Sequence, residues 1–312
     1  VLRLLERPLP PPTERELQLI REFRGQISQL DTVETSADEE WRDNMTRLTE
    51  LALSEDPRQF LHWKVVRKSM FVANAPYIRT ELNQLRRRPD WATRWEPALK
   101  EDDIGGATPS DMHPGSSGNR IHLTYDVASF EDAGGVNVRD IPFIFEFGGG
   151  YGGMCRQMYQ LGFQGTYVVF DLPHFSALQQ YYLRSLDLNV VPGDSFDVVG
   201  EPSVSCISCP NVARHVVSML DDESVGRGLF LATWSFSECP VGLRESFLDI
   251  LGVFGNTWIG YQDTFNGIDN VAWFQALRES RSDVSWMQVP IEHSPGNCYL
   301  TGTAGLAQSR AA

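Results

Sequence analysis

Residues 143–162 read FIFEFGGGYGGMCRQMYQLG, and no other stretch limits the possible folds as strongly. Phe143 to Phe147 sets four apolar residues around a single Glu, the pattern of a short buried strand. The residues after Gly153 carry helical periodicity, closed by Gly162. The glycines therefore fall at a strand-to-helix turn. Such a turn needs positive φ and close backbone approach, and the helix after it directs free N–H groups at whatever binds.

Spacing alone leaves two ligands open. Gly148, Gly150 and Gly153 satisfy G-x-G-x-x-G, the dinucleotide fingerprint, while Glu146 with Gly148, Gly150 and Gly152 satisfies E-x-G-x-G-x-G, the pattern of S-adenosylmethionine (SAM) enzymes. Both need a second strand that ends in an acid. GTYVVFDLP supplies it, with Thr166 to Phe170 rich in β-formers and Asp171 placed 18 residues beyond Gly153, where either ligand presents ribose hydroxyls.

The chain of 312 residues is long enough for one large α/β domain with a helical extension. Its formal charge of −14 and pI near 4.9 argue against nucleic acid, and Arg86-Arg87-Arg88 reads as a helix end instead of a phosphate-binding patch. No apolar run reaches the roughly 18 residues of a membrane span, and VLRLLERPLPPP does not read as a secretory signal, so a cytoplasmic protein with no membrane partner is expected. Five cysteines do not suggest a disulfide framework. Cys206 and Cys209 form a C-x-x-C without the second ligand pair that a structural zinc needs.

The first 140 residues have helical grammar. TERELQLIREF opens with a capping box from Thr13 to Glu16, and SADEEWRDNMTRLTELAL with another from Ser36 to Glu39. A longer helical stretch from Asp56 to Arg88 is broken near Pro76, and its aromatic stripe, Phe60, Trp63 and Phe71, reads as core. Residues 105–120, GGATPSDMHPGSSGNR, read as a loop long enough to suspect function. From Ile141 short β-rich runs alternate with helices. Candidate strands are 143–147, 166–170, 188–191, 229–233, 257–261, 284–290 and 297–302; candidate helices are 152–161, 174–186, 211–220, 240–251 and 268–279. The alternation predicts a mainly parallel sheet covered on both faces. VSWMQVPIEHSPGNCYLTGT has strand, turn and strand with no room for a helix, which predicts a closing antiparallel pair and favours the SAM reading over an NAD domain.

SSGNRIHLTYDVASFEDAGG, FIFEFGGGYGGMCRQMYQLGFQGTYVVFDLPHFSALQQYYL, LFLATWSFSECP and EHSPGNCYL resemble, in that order, segments of the sugar O-methyltransferase family, a branch of the class I SAM-dependent methyltransferases. The resemblance covers roughly residues 116–303. It implies an α/β, Rossmann-like class I methyltransferase sheet of seven strands with an antiparallel final hairpin, preceded by an N-terminal helical region. The expected organisation is a helical region over 1–104, a loop and helix over 105–140 lining the substrate site, and a SAM-binding core over 141–312. It also implies SAM as cofactor, S-adenosylhomocysteine (SAH) as product and a hydroxyl acceptor. Carried over by position, Glu146, Gly148, Gly149, Gly150 and Gly152 line the methionine part, Asp171 the ribose and Leu172 the adenine, with Asp194 and Ser195 as further candidates at the adenine edge.

A sugar hydroxyl is a weak acid, so its methylation needs a base or a metal. His293, beside the SPGN turn, is the first candidate base; His122 is the second, with Tyr125 a helical turn away; Asp263, after the fifth strand, is the third. Trp234 is expected to wall the methyl site against the sulfonium. Tyr125, Tyr151, Glu238 and Asn297 are expected to contact the acceptor. Glu238 with Asp263 could hold Mg²⁺, but metal-dependent sugar methyltransferases carry a denser acidic cluster, so no metal ligand is assigned. The expected activity is a SAM-dependent O-methyltransferase acting on a sugar or other polyhydroxylated small molecule, with a homodimer as the assembly to test. An NAD(P)-dependent oxidoreductase and a non-catalytic SAM-binding protein are the alternatives.

Overall fold

The computed structural model describes residues 9–31, 39–191 and 202–305. Asp194, Ser195 and the capping residue Ser36 lie outside them.

Helix α1 (Glu14–Ile27) begins as its sequence predicts: the Glu16 N–H donates to Thr13 Oγ1 while the Thr13 N–H donates to the Glu16 carboxylate. Helix α2 (Glu39–Ser54) buries Met45, Leu48 and Ala52 along one face. The chain then makes a 3-10 turn (Pro57–His62) and a short helix (Lys64–Ser69), and runs irregularly until α3 (Ile78–Arg86). Pro76, which has no N–H to donate, lies in that gap. Residues 105–120 are not one loop. Pro109–Ser110 pairs antiparallel with His113–Ser117, and α4 (Gly118–Gly134) starts where Ser117 Oγ accepts from the Arg120 N–H.

The core is one eight-stranded sheet. Its strands are β1 (Phe143–Phe147), β2 (Thr166–Phe170), β3 (Val190–Val191), β4 (Ser203–Ile207), β5 (Leu229–Thr233), β6 (Asn256–Gln262), β7 (Val284–Pro290) and β8 (Asn297–Ala304). They lie in the order β7-β8-β6-β5-β1-β2-β4-β3. All neighbours are parallel except at β8, which runs antiparallel to both β6 and β7. The Rossmann-like sheet and the closing antiparallel hairpin are thus as expected, with one strand more. The expected strand over 188–191 is shortened to β3: only Val190 and Val191 pair, as an edge, against β4. Strand β4, SVSCI, is absent from the sequence reading because its alternating serines look half-exposed, whereas all five residues are buried.

Helices α5 (Gly153–Gln160), α6 (Pro173–Ser185), α7 (Pro210–Ser218) and α8 (Asn270–Ser280) follow β1, β2, β4 and β6. The expected helix over 240–251 is two pieces, Val241–Glu245 and Leu248–Leu251. One hydrophobic cluster, including Phe143, Phe145, Phe147, Phe230 and Phe254, covers one face of the sheet. The other runs without a break from the first three helices into Ile144, Tyr167 and Leu229. Phe23 of α1 stacks on Tyr181 of α6 with centroids 5.1 Å apart, and Phe60 packs on Tyr182 at 5.5 Å. Arg120, fully buried, donates to Glu101 (2.8 Å), Asp102 (3.0 Å) and Gln157 (3.2 Å), which ties the segment before the ribbon to α4 and α5. Burying those charges is tolerable only because they are paired. Among the described residues no helix is long and apolar enough to cross a membrane.

Candidate active site

At the end of β1 the backbone turns left-handed at Gly148 (φ 76°) and again at Gly150 (φ 57°). A Cβ on Gly148 would lie 2.3 Å from Ser235 Cβ, so the turn after β5 can close on the turn after β1 only with glycine there. The Gly150 N–H donates to Asp171 Oδ2 (2.9 Å), Gln179 Nε2 to the same oxygen (2.9 Å), and the Leu172 N–H to Oδ1 (2.7 Å). A carboxylate offers about four acceptor positions, so three such bonds leave one for a ligand. Burial pushes Asp171 up to about 7, opposed by the Leu172 and Gly150 N–H groups and by Gln179. Glu146 sits beneath the turn and accepts from the Tyr167 hydroxyl (2.8 Å), yet burial raises it to about 8. Gly152 does not reach the cavity. It is the N-cap of α5, and a Cβ there would press on Leu183 at 3.3 Å, so its part is packing.

A cavity of about 630 Å³ lies beyond the C-terminal ends of β1, β2, β4 and β5. The strand order reverses between β1 and β5, the place where open α/β sheets leave a crevice. One end is walled by Gly148, Gly149, Gly150, Asp171 and Leu172; the other by Glu81, His122, Asp126, Trp234, His293 and Asn297. Trp234 has φ 63°, a costly conformation for a bulky residue. Its Nε1 donates to Asn297 Oδ1 (2.9 Å), and its ring lies 5.4 Å from that of His122.

The two candidate histidines meet at one carboxylate. Glu81 of α3 is 0% exposed, and its Oε1 accepts from both His122 Nδ1 (2.8 Å) and His293 Nε2 (2.9 Å). Burial acts to raise Glu81, but the charge and hydrogen bond of His122, then the hydrogen bond of His293, hold it below the ordinary carboxylate value. For His122 burial acts to lower the pKa, and the carboxylates of Asp126 and Glu81 overcome it and raise the ring to about 9. Asp126 is pushed up to about 6 by burial, against His122 and the Tyr299 hydroxyl that donates to it. Tyr77 stacks on His293 with centroids 5.9 Å apart.

Of the expected acceptor contacts, Tyr151, Glu238 and Asn297 line the cavity. The Tyr151 hydroxyl accepts from Asn119 Nδ2 (2.7 Å), and Glu238, raised by burial, accepts from Gln262 (3.3 Å). Tyr125 does not line it and packs edge-on against His293 at 5.3 Å. Asp263 is a correction: it lies outside the cavity, its N–H donating to the Gly296 carbonyl and its own carbonyl accepting from the Asn270 N–H, so it braces the loop after β6. Glu238 lines the cavity and Asp263 does not, and among the described residues no group of three or more His, Cys, Asp or Glu is arranged to hold a metal. Cys206 is buried, Cys209 exposed, and both are free thiols.

Within residues 105–120 only Asn119 reaches the cavity. The wall expected there is made instead by residues 68–72, and Asn119 fixes it by accepting from the Val72 N–H (2.8 Å). Phe71 packs against the core as expected and lines the cavity as well. Glu81 was missed, although a signal was present. Ile78, Leu82 and Leu85 mark the buried face of α3, and Glu81 occupies the i+3 position of that face.

No protein-family profile and no curated protein matches the sequence. Solved structures similar to it include an SAH-bound methyltransferase of Podospora anserina (11% identity, TM-score 0.38, covering 77% of this chain and 92% of that one). Two others are the precorrin-6y C5,15-methyltransferase of Geobacter metallireducens (11%, 0.38, 66% and 97%) and the fibrillarin pre-rRNA processing protein of Methanococcus jannaschii (10%, 0.39, 54% and 69%). At this level of likeness they decide nothing about the chemistry of this chain.

Proposed function

We propose that the chain is a SAM-dependent O-methyltransferase acting on a sugar or another polyhydroxylated small molecule. The observation that carries this reading is a single cavity that joins a strand–glycine–helix turn and its Asp171 to two histidines sharing a buried carboxylate. The residues present fit the cofactor. The volume lies within the roughly 300–1,000 Å³ of small-molecule sites. Asp171 keeps one acceptor position for a ribose hydroxyl, Leu172 offers an apolar edge to adenine, and Glu146 with Gly148, Gly149 and Gly150 would bound the methionine part. Bound there, SAM would supply a methyl group on a positively charged sulfur, and the Trp234 ring is suited to face such a charge.

The chain's own residues do the rest. Glu238, Asn297 and Ser294 line the cavity and would suit a partner with several hydroxyls. His293 has Nε2 engaged with Glu81, so its Nδ1 is the nitrogen left to take a proton. There it would take the proton of the acceptor hydroxyl, while SAM, held by the glycine turn and Asp171, would supply the methyl group, its methyl–sulfur bond breaking to leave SAH. The same proposal covers the expected organisation: residues 1–104 as a helical region, 105–140 as a loop and helix that link to the core and line the substrate site, and 141–312 as the SAM-binding core. It also covers the cytoplasmic setting and the homodimer.

Equilibrium binding followed by an acceptor panel tests the reading. SAH is expected to bind and NADH is not. NADH binding without SAH binding would install the oxidoreductase alternative. SAH binding without turnover on neutral, amino and acidic sugars would favour a non-catalytic SAM-binding protein.

A further inference from the structure

The inference rests on the methyl-transfer reading and adds a residue from the N-terminal helical region. We infer that Glu81 is the positioning residue of the site: its one oxygen, shared by His122 Nδ1 and His293 Nε2, divides the two imidazoles into a fixed cation and a proton acceptor. An isolated carboxylate at 0% exposure would be driven neutral, so Glu81 needs a permanent counter-charge, and His122 supplies it.

The groups facing His122 come from several elements. Tyr77 and Glu81 approach from α3 and the turn before it, Asp126 from α4, Trp234 from the end of β5, and Tyr299 of β8 through Asp126, while His293 of the final turn, with Tyr125 and Tyr77 against its ring, meets it through Glu81. Two of these carry negative charge against the ring, at Nδ1 (2.8 Å to Glu81) and near Nε2 (3.7 Å to Asp126). His122 therefore keeps both protons through the neutral range, consistent with its rise to about 9, and is no base. His293 has only the Glu81 bond on Nε2. A ring nitrogen facing a carboxylate carries the hydrogen, which leaves the lone pair on Nδ1. Glu81 itself touches neither cofactor nor acceptor in this scheme; it acts through the two rings.

Histidine ¹⁵N NMR on the full chain, without acceptor, reads this directly. In the parent protein His293 is expected as the Nε2–H tautomer and His122 as doubly protonated until about pH 9. In Glu81→Gln the His122 midpoint is expected to fall from about 9, with Asp126 alone left to raise it, and the His293 tautomer to become mixed. On any acceptor that turns over, Glu81→Gln is expected to lower kcat about tenfold with KM nearly held and the pH–rate profile moved. Glu81→Asp restores the His122 charge in part. His122 neutral at pH 7.5 in the parent, His293 carrying Nδ1–H, or an unmoved pH–rate profile in Glu81→Gln would each overturn the inference. Should Glu81→Gln fail to fold, the parent spectra alone decide. Failure of the methyltransferase reading shows separately, as absent SAH binding with the histidine spectra as described.

Discussion

Asp171→Ala is expected to weaken SAH binding at least about 100-fold. A charge-assisted hydrogen bond to the ribose contributes roughly 1.5–3 kcal/mol. The Gly150 and Leu172 N–H groups and the Gln179 amide also lose their acceptor, so the turn that shapes the site is no longer held. Titration calorimetry reads the loss, and unchanged SAH affinity in a folded variant would remove Asp171 from the cofactor site. The pH dependence gives a second check. The ligand-free carboxyl is raised to about 7, and a ribose hydroxyl needs it ionised. SAH affinity is therefore expected to rise about tenfold per pH unit up to about 7 and then level off; Asp171→Ala flattens that slope. The sign for stability is opposite. A raised folded-state pKa contributes stability below the unfolded value and loses it as pH rises through about 7, so SAH is expected to raise Tm more at pH 8 than at pH 6.

His293→Ala is expected to lower kcat by about 10²–10⁴, the usual worth of a general base, while SAM affinity stays nearly intact. Its place in the cavity, 2.9 Å from Glu81, makes it the imidazole with a nitrogen to spare. His122→Ala behaves differently, because it strips a buried carboxylate of its counter-ion and is expected to lower Tm as well as rate. Turnover retained within a few-fold in His293→Ala would show that the base lies elsewhere. EDTA-sensitive activity restored by Mg²⁺ would replace the histidine mechanism with a metal one.

The parts of the fold that depend on local pattern were legible. FIFEF, TYVVF and LFLAT are runs in which apolar β-formers predominate, and each forms the strand its composition predicts. SVSCI failed that test because burial of Ser203 and Ser205 is decided by what packs above them, not by their own polarity. The placing of Glu146, the glycine turn and Asp171 at one end of the cavity was readable for a similar reason: they fall within 26 residues of chain, and strand–turn–helix grammar fixes their relation. The meeting of the histidines was not. His122 and His293 could be named as histidines near strand or loop ends, but nothing local says that they meet. Asp263 looked equivalent to them by the same rule and proved to brace a loop. Glu81 sits in RTELNQLRRR, where a Glu reads as solvated; only its position on the apolar face of α3 speaks against that.

Glu81 and His293 are 212 residues apart in the chain, whereas Glu81 and His122 are separated by 41. On a ribosome adding roughly 5–20 residues per second, the carboxylate meets its first imidazole within about 2–8 s and waits roughly 10–40 s for the second. During that interval the nascent protein can hold an ion pair between Glu81 and His122 but has no proton acceptor beside it. On the proposed reading, proton transfer to His293 would begin only once the final hairpin has folded back onto helices made near the start of translation. A polypeptide released early, before the SPGN turn, would carry Glu146, the glycine turn and Asp171 but lack β8, the strand that joins β7 to β6, so enzymatic competence would report on closure of the sheet by its last strand.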